Sequence, residues 1–362
     1  MTTSTTAPLA TAPSTADLAT GRVTVTEVVL PGVVEPAGLE LRTRDLAAPG
    51  KGQVVVRVEA TGVSMAEQSM RRGRYPGQPA FPFVPGYDLV GTVAATGPRV
   101  DASLVGTRVA VMTKTGGWAT YAVVKAADLV VVPPELDPAE IETLVVNGVT
   151  AWQMLHRTAR VAPGETVLVH GANGGVGTTL VQLAVHHGAT VIGTAHPRHH
   201  EALRELGVTP VDYDDPDLAA TVRALAPQGV DAVFDHLGGT SLDRSWGLLA
   251  PGGRLVAYAI ATQVKGTGSI WGPFLTAIAK VLTWNLLPNG KKAAFYDLWS
   301  GHLRRPTRFR ARTREAVDAV LALLADGTLR PQVAATFPLT QAREAMTLAE
   351  SRTVRGKVVL LP

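Results

Sequence analysis

The residues best suited to chemistry lie in one glycine-rich segment, Gly171-Ala-Asn-Gly-Gly-Val-Gly177. It follows an apolar run, Thr166–His170, that is typical of a buried strand, and it leads into the helical apolar spacing of Val176–His187. A glycine turn between a strand and a helix is the context in which helix N-terminal N–H groups hold a pyrophosphate. The segment therefore predicts a dinucleotide-binding loop.

The dinucleotide pattern G-x-G-x-x-G falls on positions 172, 174 and 177, and Ala172 stands where the first glycine is expected. Gly174 would let the backbone approach the pyrophosphate, and Gly177 would let the helix pack tightly on the strand. A merely structural turn is the alternative, but the strand–helix units that follow favour cofactor binding. The predicted cofactor-binding residues of the loop are Asn173, Gly174, Gly175, Val176 and Gly177.

The end of the next predicted strand, Thr190–Thr194, points to the type of dinucleotide. NAD enzymes usually place Asp or Glu there to bind the ribose hydroxyls, whereas this chain has Ala195. Thr194, His196 and Arg198 surround that position, and a guanidinium can pair with a 2′-phosphate. We therefore expect NADPH. A solvated basic loop is the plainer alternative, and histidines without acidic partners are weak support for a metal site.

Composition narrows the function classes. The chain has 362 residues, which suits two domains, and a net charge of +4, which is far below a nucleic-acid-binding signature. It has no cysteine, so a disulfide, a cysteine nucleophile and a thiolate metal ligand are excluded. Residues 1–20 are rich in Thr and Ala and do not resemble a signal peptide. We expect a disordered tail there, no membrane span, and a cytoplasmic protein.

The strand pattern changes along the chain. Short β-branched runs punctuated by Gly and Pro predict a mostly antiparallel, barrel-like domain up to about Pro134; they are Gln53–Glu59, Leu89–Ala95, Thr107–Met112 and Trp118–Val124. From about Thr143 strands and helices alternate, which predicts a parallel sheet covered by helices on both faces. The fold class is therefore α/β with a second, β-barrel domain.

Several stretches in this order resemble the medium-chain dehydrogenase/reductase superfamily, within it the zinc-free quinone oxidoreductase branch, also called zeta-crystallin-like. They are Arg71–Gly91, Asn147–Trp152, the glycine loop and the closing Gly356–Pro362. The resemblance implies a GroES-like β-barrel catalytic domain formed by residues 21–143 and 306–362. It also implies a doubly wound Rossmann domain, residues 144–305, that binds NADPH.

The zinc-binding branch of this superfamily uses a Gly-His-Glu segment and cysteines, whereas this chain reads Gly86-Tyr87-Asp88 and has no cysteine. The usual ligands of both the catalytic and the structural zinc are therefore missing. Without zinc to polarise an alcohol or carbonyl, we expect hydride transfer to an acceptor that is already electrophilic. A quinone or an α,β-unsaturated carbonyl fits.

The resemblance also assigns candidate site residues. Tyr75 matches a tyrosine that faces nicotinamide and substrate in relatives, and Ser64 takes the place of their asparagine. Asn147 and Thr150 are expected at a helix start beside the nicotinamide, and Lys357 near the cofactor or, alternatively, on an exposed strand. The other expected cofactor contacts lie after the third strand and at the carboxyl ends of the fourth and fifth strands: Tyr213, Gly238, Tyr258 and Ala259.

Four further polar residues are candidate catalysts. Asp88 and Glu67 suggest a carboxylate pair, but a structural role is favoured for Asp88. His170 is expected to be a packed histidine, whereas a contact with the cofactor is favoured more for His236.

Two segments late in the chain lack an obvious role. Residues 262–300 are apolar and include Ser269–Trp284, whose helical spacing suggests a cap on the substrate pocket, a subunit interface or, less favoured, a membrane surface. The basic run Arg304–Arg314 is expected to be a solvated linker, with contact to a phosphate-rich acceptor such as an acyl-CoA as the alternative. Relatives dimerise through the edge of the Rossmann sheet, so a homodimer is expected.

Three functions follow from these features. The favoured one is NADPH-dependent reduction of a small hydrophobic quinone or α,β-unsaturated carbonyl. The second is reduction of an enoyl thioester on the same fold. The third, of another class, is a non-catalytic NADPH-binding interaction protein, against which the glycine loop argues without excluding it.

Overall fold

The computed structural model describes residues 13–264, 271–351 and 353–362. The strands are β1 (Thr24–Val29), β2 (Glu40–Asp45), β3 (Gln53–Val63), β4 (Asp88–Thr96), β5 (Arg108–Met112), β6 (Tyr121–Lys125), β7 (Val130–Val131), β8 (Thr166–Val169), β9 (Thr190–Ala195), β10 (Val208–Asp212), β11 (Val230–Asp235), β12 (Leu249–Ala257), β13 (Lys292–Phe295), β14 (Val333–Pro338) and β15 (Lys357–Leu361). The helices are α1 (Thr15–Thr20), α2 (Met65–Arg71), α3 (Pro138–Gln153), α4 (Gly175–His186), α5 (His200–Arg204), α6 (Leu218–Leu225), α7 (Thr240–Leu248), α8 (Ala261–Val264), α9 (Trp271–Trp284), α10 (Pro306–Ala325) and α11 (Ala342–Ser351).

The barrel-like part joins the two ends of the chain. Its strand order is β14-β15-β3-β4-β5-β7, with β6 pairing β3 on the side, and all of its pairs are antiparallel except β14 with β15. The last strand is thus hydrogen-bonded to β3, with Val359 opposite Gly62. The predicted GroES-like β-barrel fold is confirmed.

The six strands from β8 to β13 form a second sheet in the order β10-β9-β8-β11-β12-β13, and every pair in it is parallel. The prediction of a doubly wound Rossmann domain is confirmed. The strand order reverses between β8 and β11, so the loops after these two strands diverge and leave a crevice at their carboxyl ends. Ligands of open parallel sheets bind at such a switch point.

Helix α3 connects the two sheets, and most of its residues are buried. It packs against α4 and α10 on one side and against β3 and β4 on the other, within one apolar core shared by both sheets. The predicted domain boundary between residues 143 and 144 lies inside this helix. Asn147 and Thr150, expected at a helix start, therefore lie in its second half, because the helix begins at Pro138 behind an Asp137 cap.

The disordered-tail prediction is wrong for residues 13–20, and residues 1–12 lie outside the described residues. Ser14 caps helix α1 by accepting a hydrogen bond from Asp17 N, and Gly21 ends it with a positive φ of 73°. Leu18 is 2% exposed and packs with Val25 and other apolar residues of the barrel. One buried leucine thus fixes a segment whose composition indicates disorder.

The prediction of a solvated linker at Arg304–Arg314 is also wrong, because most of the run forms the first half of helix α10. Residues four apart along the helix turn inward: Phe309 packs against the shared core, and Thr313 and Val317 are buried. The arginines between them stay at the surface or reach back to neighbouring loops. The many arginines in this run concealed the helical spacing of its inward-facing residues.

Helix α9 packs its inner side, Ala277 and Val281, against the core on one face of the Rossmann sheet. Its other side exposes Trp271, Leu275 and Leu282. A subunit interface at this helix stays a prediction, and residues 265–270 of the apolar segment lie outside the described residues. Among the described helices, none is long and apolar enough to cross a membrane.

Candidate functional site

The glycine loop lies at the crevice between β8 and β11. Its first residues are fixed by strand β9, because Gly171 N donates to Thr194 Oγ1 at 3.1 Å and Ala172 N donates to Thr194 O at 2.9 Å. A Cβ at Gly177 would overlap the carbonyl oxygen of Gly171, so only glycine lets α4 begin this close to the strand.

The N-terminus of α4 has the properties of an anion site. Its N-cap, Gly174, has no side chain to cap the free N–H groups, and its first turn carries no acidic residue. Asn173 to Val176 are half-buried, which leaves this turn partly open. The unpaired N–H groups and the positive end of the helix dipole suit a pyrophosphate. The loop therefore fits the dinucleotide that its sequence predicts.

Helix α3 brings Asn147 against this loop. A Cβ on Gly175 would lie 2.6 Å from Asn147 Nδ2, so the amide packs directly on the glycine. Thr150 lies one turn further along α3 and is buried, as is Asn147. Burial raises the pKa of Tyr296, and a hydrogen bond from Thr150 opposes that rise. Tyr296, which follows β13, also donates to Gln153 Oε1 at 3.2 Å.

Tyr296 had no sequence signal. The structure places its phenol beside Thr150, and so next to the face of α3 that carries the predicted nicotinamide contacts.

A series of hydrogen-bonded buried side chains lies next to the glycine loop. His170 Nδ1 lies 3.3 Å from Thr194 Oγ1, and its Nε2 lies 3.1 Å from Ser245 Oγ, which donates to Asp235 Oδ2 at 2.7 Å. Burial lowers the pKa of His170, which is therefore neutral at physiological pH. The expectation of a packed histidine is consistent with these contacts.

Asp235 is a site residue that sequence reasoning missed. It ends β11 and is fully buried, and its Oδ1 accepts from Leu237 N at 2.8 Å and Gly238 N at 3.1 Å. The carboxylate thus shapes the loop that faces the glycine loop across the crevice. An acid at the carboxyl end of a strand, followed by Gly238 and Gly239, was the available signal.

The ring of His236 packs against Gly171, because a Cβ there would lie within 3.1 Å of its Nε2. Its ring centroid is 5.9 Å from that of Tyr258, which follows β12 and is anchored by a 3.0 Å bond to Asp235 O. Gly238, Tyr258 and the adjacent Ala259 therefore line the same end of the sheet as the glycine loop.

The end of β9 is strongly basic. His196 Nδ1 accepts from Arg198 N at 3.2 Å, and the ring of His196 lies 6.0 Å from that of Tyr213, whose side chain is half exposed. Burial lowers the pKa of His199, and nearby Arg198 and Arg355 lower it further. Arg355, from the loop before β15, was not among the predicted residues because it lies far away in sequence.

In the barrel, Ser64 stabilises the start of helix α2. It is the N-cap of α2: Oγ accepts from Ala66 N at 3.1 Å, and Ser64 N donates to Glu67 Oε2 at 2.9 Å. Its hydroxyl also contacts the Glu67 carboxyl. The hydroxyl of Ser64 is therefore already engaged within its own helix.

Tyr75 belongs to an aromatic chain. Its hydroxyl is hydrogen-bonded to that of Tyr87, which also accepts a hydrogen bond from Trp299 Nε1. The ring centroids are 5.7 Å apart for the two tyrosines and 5.6 Å apart for Tyr87 and Trp299. Burial raises the pKa of Tyr75 to about 12, so its phenol stays a neutral donor at physiological pH. Tyr87 occupies the histidine position of the zinc-binding branch.

The alternative that Lys357 is an exposed strand residue is wrong, and its contact with the cofactor stays a prediction. The side chain is 3% exposed, and Nζ forms ion pairs with Asp88 Oδ2 at 2.9 Å and Glu142 Oε1 at 2.6 Å. Its neighbour Gly356 does reach the glycine loop, because Gly356 N donates to Asn173 O at 3.4 Å. The two buried carboxylates thus hold the lysine side chain in place.

Glu67 and Asp88 are both fully buried in the same region. Burial raises the pKa of Glu67, and the charge of Asp88 raises it further. Asp88 Oδ2 accepts from Val146 N of α3 at 3.1 Å, so Asp88 ties β4 to that helix. The structural role favoured for Asp88 agrees with this contact, although it bonds a helix and not a turn.

No three His, Cys, Asp or Glu side chains come together in a metal-binding arrangement within residues 13–264, 271–351 and 353–362.

Two family profiles match the chain. The alcohol dehydrogenase GroES-like domain family covers residues 50–134, and the family described as zinc-binding dehydrogenase covers residues 206–360. Among curated relatives, the synaptic vesicle membrane protein VAT-1 homolog of Rattus norvegicus is 32% identical over 341 residues, which are 91% of this chain and 82% of the relative. A 2-haloacrylate reductase of a Burkholderia species is 33% identical over 340 residues, covering 88% and 93% of the two chains.

Solved structures agree with this relationship. The quinone oxidoreductase of Pseudomonas syringae pv. Tomato has a TM-score of 0.80 at 27% identity, and the match covers 93% of this chain and all of that one. A mycobacterial protein solved in complex with NADPH has a TM-score of 0.79 at 27% identity, with the same two coverages.

Proposed function

The chain belongs to the medium-chain dehydrogenase/reductase superfamily, in its quinone oxidoreductase-like branch, and from this premise we propose that it reduces a quinone or an α,β-unsaturated carbonyl with NADPH and without zinc. The observation that carries the proposal is the crevice at the switch point. There an uncapped helix N-terminus, the amide of Asn147 and a basic strand end come together.

NADPH is favoured over NADH by the charge at the end of β9. Ala195 leaves that position without a carboxylate, and Arg198 and Arg355 both act on His199 from nearby. A 2′-phosphate would gain two guanidinium partners there, whereas a ribose hydroxyl would find no acid to bind. A solved relative that binds NADPH supports the same choice.

The bound cofactor supplies a hydride, and the chain's own residues hold the acceptor and its charge. Tyr75 is our candidate for donating a hydrogen bond to the acceptor oxygen as negative charge develops on it. Its raised pKa keeps the proton on the phenol, and Tyr87 and Trp299 hold it in place. A neutral donor of this kind supports an acceptor that needs no metal to polarise it.

An enoyl thioester is the second acceptor class. It is favoured by the exposed arginines at the start of α10, including Arg304 and Arg308, which suit the phosphates of a carrier. The name of the Burkholderia relative, a 2-haloacrylate reductase, adds an activated alkene as acceptor in a related protein.

The test has a binding arm and a turnover arm. Titrations followed by protein fluorescence should give a dissociation constant for NADPH at least about tenfold lower than that for NADH, a difference of about 1.4 kcal/mol. Arg198→Gln should remove most of that difference, because it removes a guanidinium that pairs with the 2′-phosphate. Turnover is then measured with phenanthrenequinone and with crotonyl-CoA. Activity on the thioester alone would overturn the quinone proposal, and absence of NADPH binding would overturn both.

Zinc independence has its own control. Dialysis against a zinc chelator should leave turnover unchanged, because the chain has no cysteine and Tyr87 replaces the histidine ligand. Loss of activity that returns when zinc is added would contradict it.

A further inference from the structure

A cavity of about 100 Å³ lies between the barrel and helix α10, apart from the glycine loop. One wall comes from β5 and the loop Lys125–Val130, the other from the inward face of α10 and the loop Trp299–Leu303. The apolar part of its lining includes Ala110, Met112, Leu129, Val130, Val145 and Val317. Such a concave, mostly apolar space with a few polar groups has the form of a small-molecule site.

The charged part of the lining is mainly cationic. Lys125, Arg310 and Arg314 line the cavity, against a single acid, Asp128. Arg310 pairs with Asp128 at 2.7 Å. Among the described residues Lys125 and Arg314 form no ion pair, and Arg314 bonds only the carbonyl of Leu129, at 3.4 Å. Two cations are thus left at the mouth of an apolar space, where they would attract an anion.

A buried hydroxyl inside the cavity lacks a partner. Thr313 lines the cavity and is 8% exposed, and its Oγ1 has no hydrogen-bond partner among the described residues. A buried polar group without a partner is unfavourable, so a ligand atom that pairs with it gains affinity. A carboxylate oxygen placed between Thr313 and Arg314 would accept from both. Both residues line the cavity, and Arg314 reaches the carbonyl of Leu129, another lining residue.

One indole borders both this cavity and the tyrosine pair of the proposed site. Trp299 lines the cavity, stacks on Phe309 at 5.8 Å, and donates from Nε1 to the hydroxyl of Tyr87. His302, also in the lining, binds the Trp299 carbonyl through Nδ1 at 2.8 Å. A molecule seated in the cavity would therefore press on the ring that orients the acceptor site.

We propose that this cavity binds a carboxylate carried on a short apolar chain, with Lys125, Arg314 and Thr313 holding the carboxylate. The proposal rests on the function proposed above, because the carboxylate is taken to be the end of the hydride acceptor that lies remote from the reacting atoms. At about 100 Å³ the cavity is smaller than the roughly 150 Å³ that takes benzene in an engineered cavity, so a short chain fits and a fused ring system does not.

The first experiment measures binding without turnover. Hexanoate and hexanamide have the same chain and differ in charge, and neither can be reduced. Calorimetric titration of the full chain should show hexanoate binding at least about tenfold more tightly than hexanamide. Arg314→Gln should remove most of that advantage, whereas Arg304→Gln, in an exposed residue of the same run outside the lining, should keep it. Equal affinities for the two probes would overturn the proposal.

The second experiment locates the site and guards against misfolding. Thr313→Leu fills the cavity and should abolish hexanoate binding while the affinity for NADPH stays unchanged. If Thr313→Leu still binds hexanoate as the wild type does, the cavity is not the site. A loss of NADPH affinity as well would assign the effect to folding and count against the proposal.

The third experiment tests whether the carboxylate belongs to the hydride acceptor or to a separate ligand. Hexanoate that competes with the acceptor in steady-state turnover supports the placement of the acceptor's remote end here, and hexanoate that binds without competing overturns it. If the chain reduces none of the acceptors tested but Arg314-dependent hexanoate binding persists, the proposed function fails and the carboxylate site stands.

Discussion

At the scale of single residues, the chemistry depends on side chains that are already engaged with one another. Tyr75 is bonded to Tyr87, and Tyr87 to Trp299, so the position of the proposed donor is set by residues from three separate parts of the chain. Preorganised donors of this kind are effective because they need little reorganisation as charge develops. The phenol's proton is retained well above neutral pH.

Replacing Tyr75 by phenylalanine tests that role. Removing one donor to a developing oxyanion typically lowers kcat by about 100-fold or more, and we expect a loss of that order with an unchanged dissociation constant for NADPH. The measurement is kcat and KM for phenanthrenequinone beside an NADPH titration. Tyr121→Phe, in strand β6, is the matched control, because Tyr121 packs against a different apolar cluster, the one that contains Leu18. A Tyr75→Phe enzyme with wild-type kcat would rule out the donor role.

At the scale of elements, the crevice depends on how closely α3, α4 and the glycine loop approach one another. Gly177 lets the loop close on itself, and Gly175 leaves room for the amide of Asn147. These are contacts in which a single methyl group has no space.

Gly175→Ala should therefore weaken cofactor binding. The added Cβ lies 2.6 Å from Asn147 Nδ2, and relieving such overpacking costs about 1–3 kcal/mol, so we expect the dissociation constant for NADPH to rise about tenfold or more. Gly247→Ala makes the same change in helix α7, where a Cβ would meet no atom within 4 Å, and should leave binding unaltered. Equal affinities of the two variants for NADPH would contradict the close packing of Asn147.

At the scale of the whole molecule, a buried ion cluster ties the fold together. Lys357 in the last strand pairs with Asp88 in β4 and with Glu142 in α3, so the end of the chain, the barrel and the helix between the two sheets meet there. Breaking such a cluster from one side leaves an unpaired buried charge, which is strongly destabilising.

The cluster also predicts a pH dependence of stability. Burial and the charge of Asp88 raise the pKa of Glu142 well above its ordinary value, and Lys357 opposes that rise. The folded chain therefore binds a proton at Glu142 more tightly than the unfolded chain does, so this contribution to stability is fully present below about pH 4.5 and is lost as the pH rises and Glu142 ionises.

Thermal unfolding of the wild type should accordingly show a contribution to stability that falls as the pH rises above about 4.5, and Glu142→Gln, which cannot titrate, should have a flatter profile. Glu135→Gln, at an exposed acid shortly before α3, is the control and should follow the wild type. An identical slope for Glu142→Gln and the wild type would show that Glu142 does not hold the extra proton.

Local sequence was sufficient for the elements whose pattern is carried by neighbouring residues. The run Thr166–Val169, the glycines after it and the apolar spacing of α4 lie within one stretch of chain, so their structure and their phosphate-binding chemistry are readable together. The alternation of strands and helices likewise determined the parallel sheet. The basic run was misread because arginines occupied the surface positions of α10 and concealed its inward residues.

Tertiary structure alone decided which polar residues from distant parts of the chain contact one another. The pairing of Lys357 with two buried acids depends on strands and helices far apart in the chain, since a buried lysine needs carboxylate partners to offset its desolvation. The same holds for Trp299 on Tyr87, Asp235 beneath the crevice and Arg355 at the end of β9. The sequence by itself determined the fold class and the cofactor loop, because both rest on short-range periodicity. The partners of each polar side chain were decided by packing, because burial makes hydrogen bonding obligatory wherever the fold places the group.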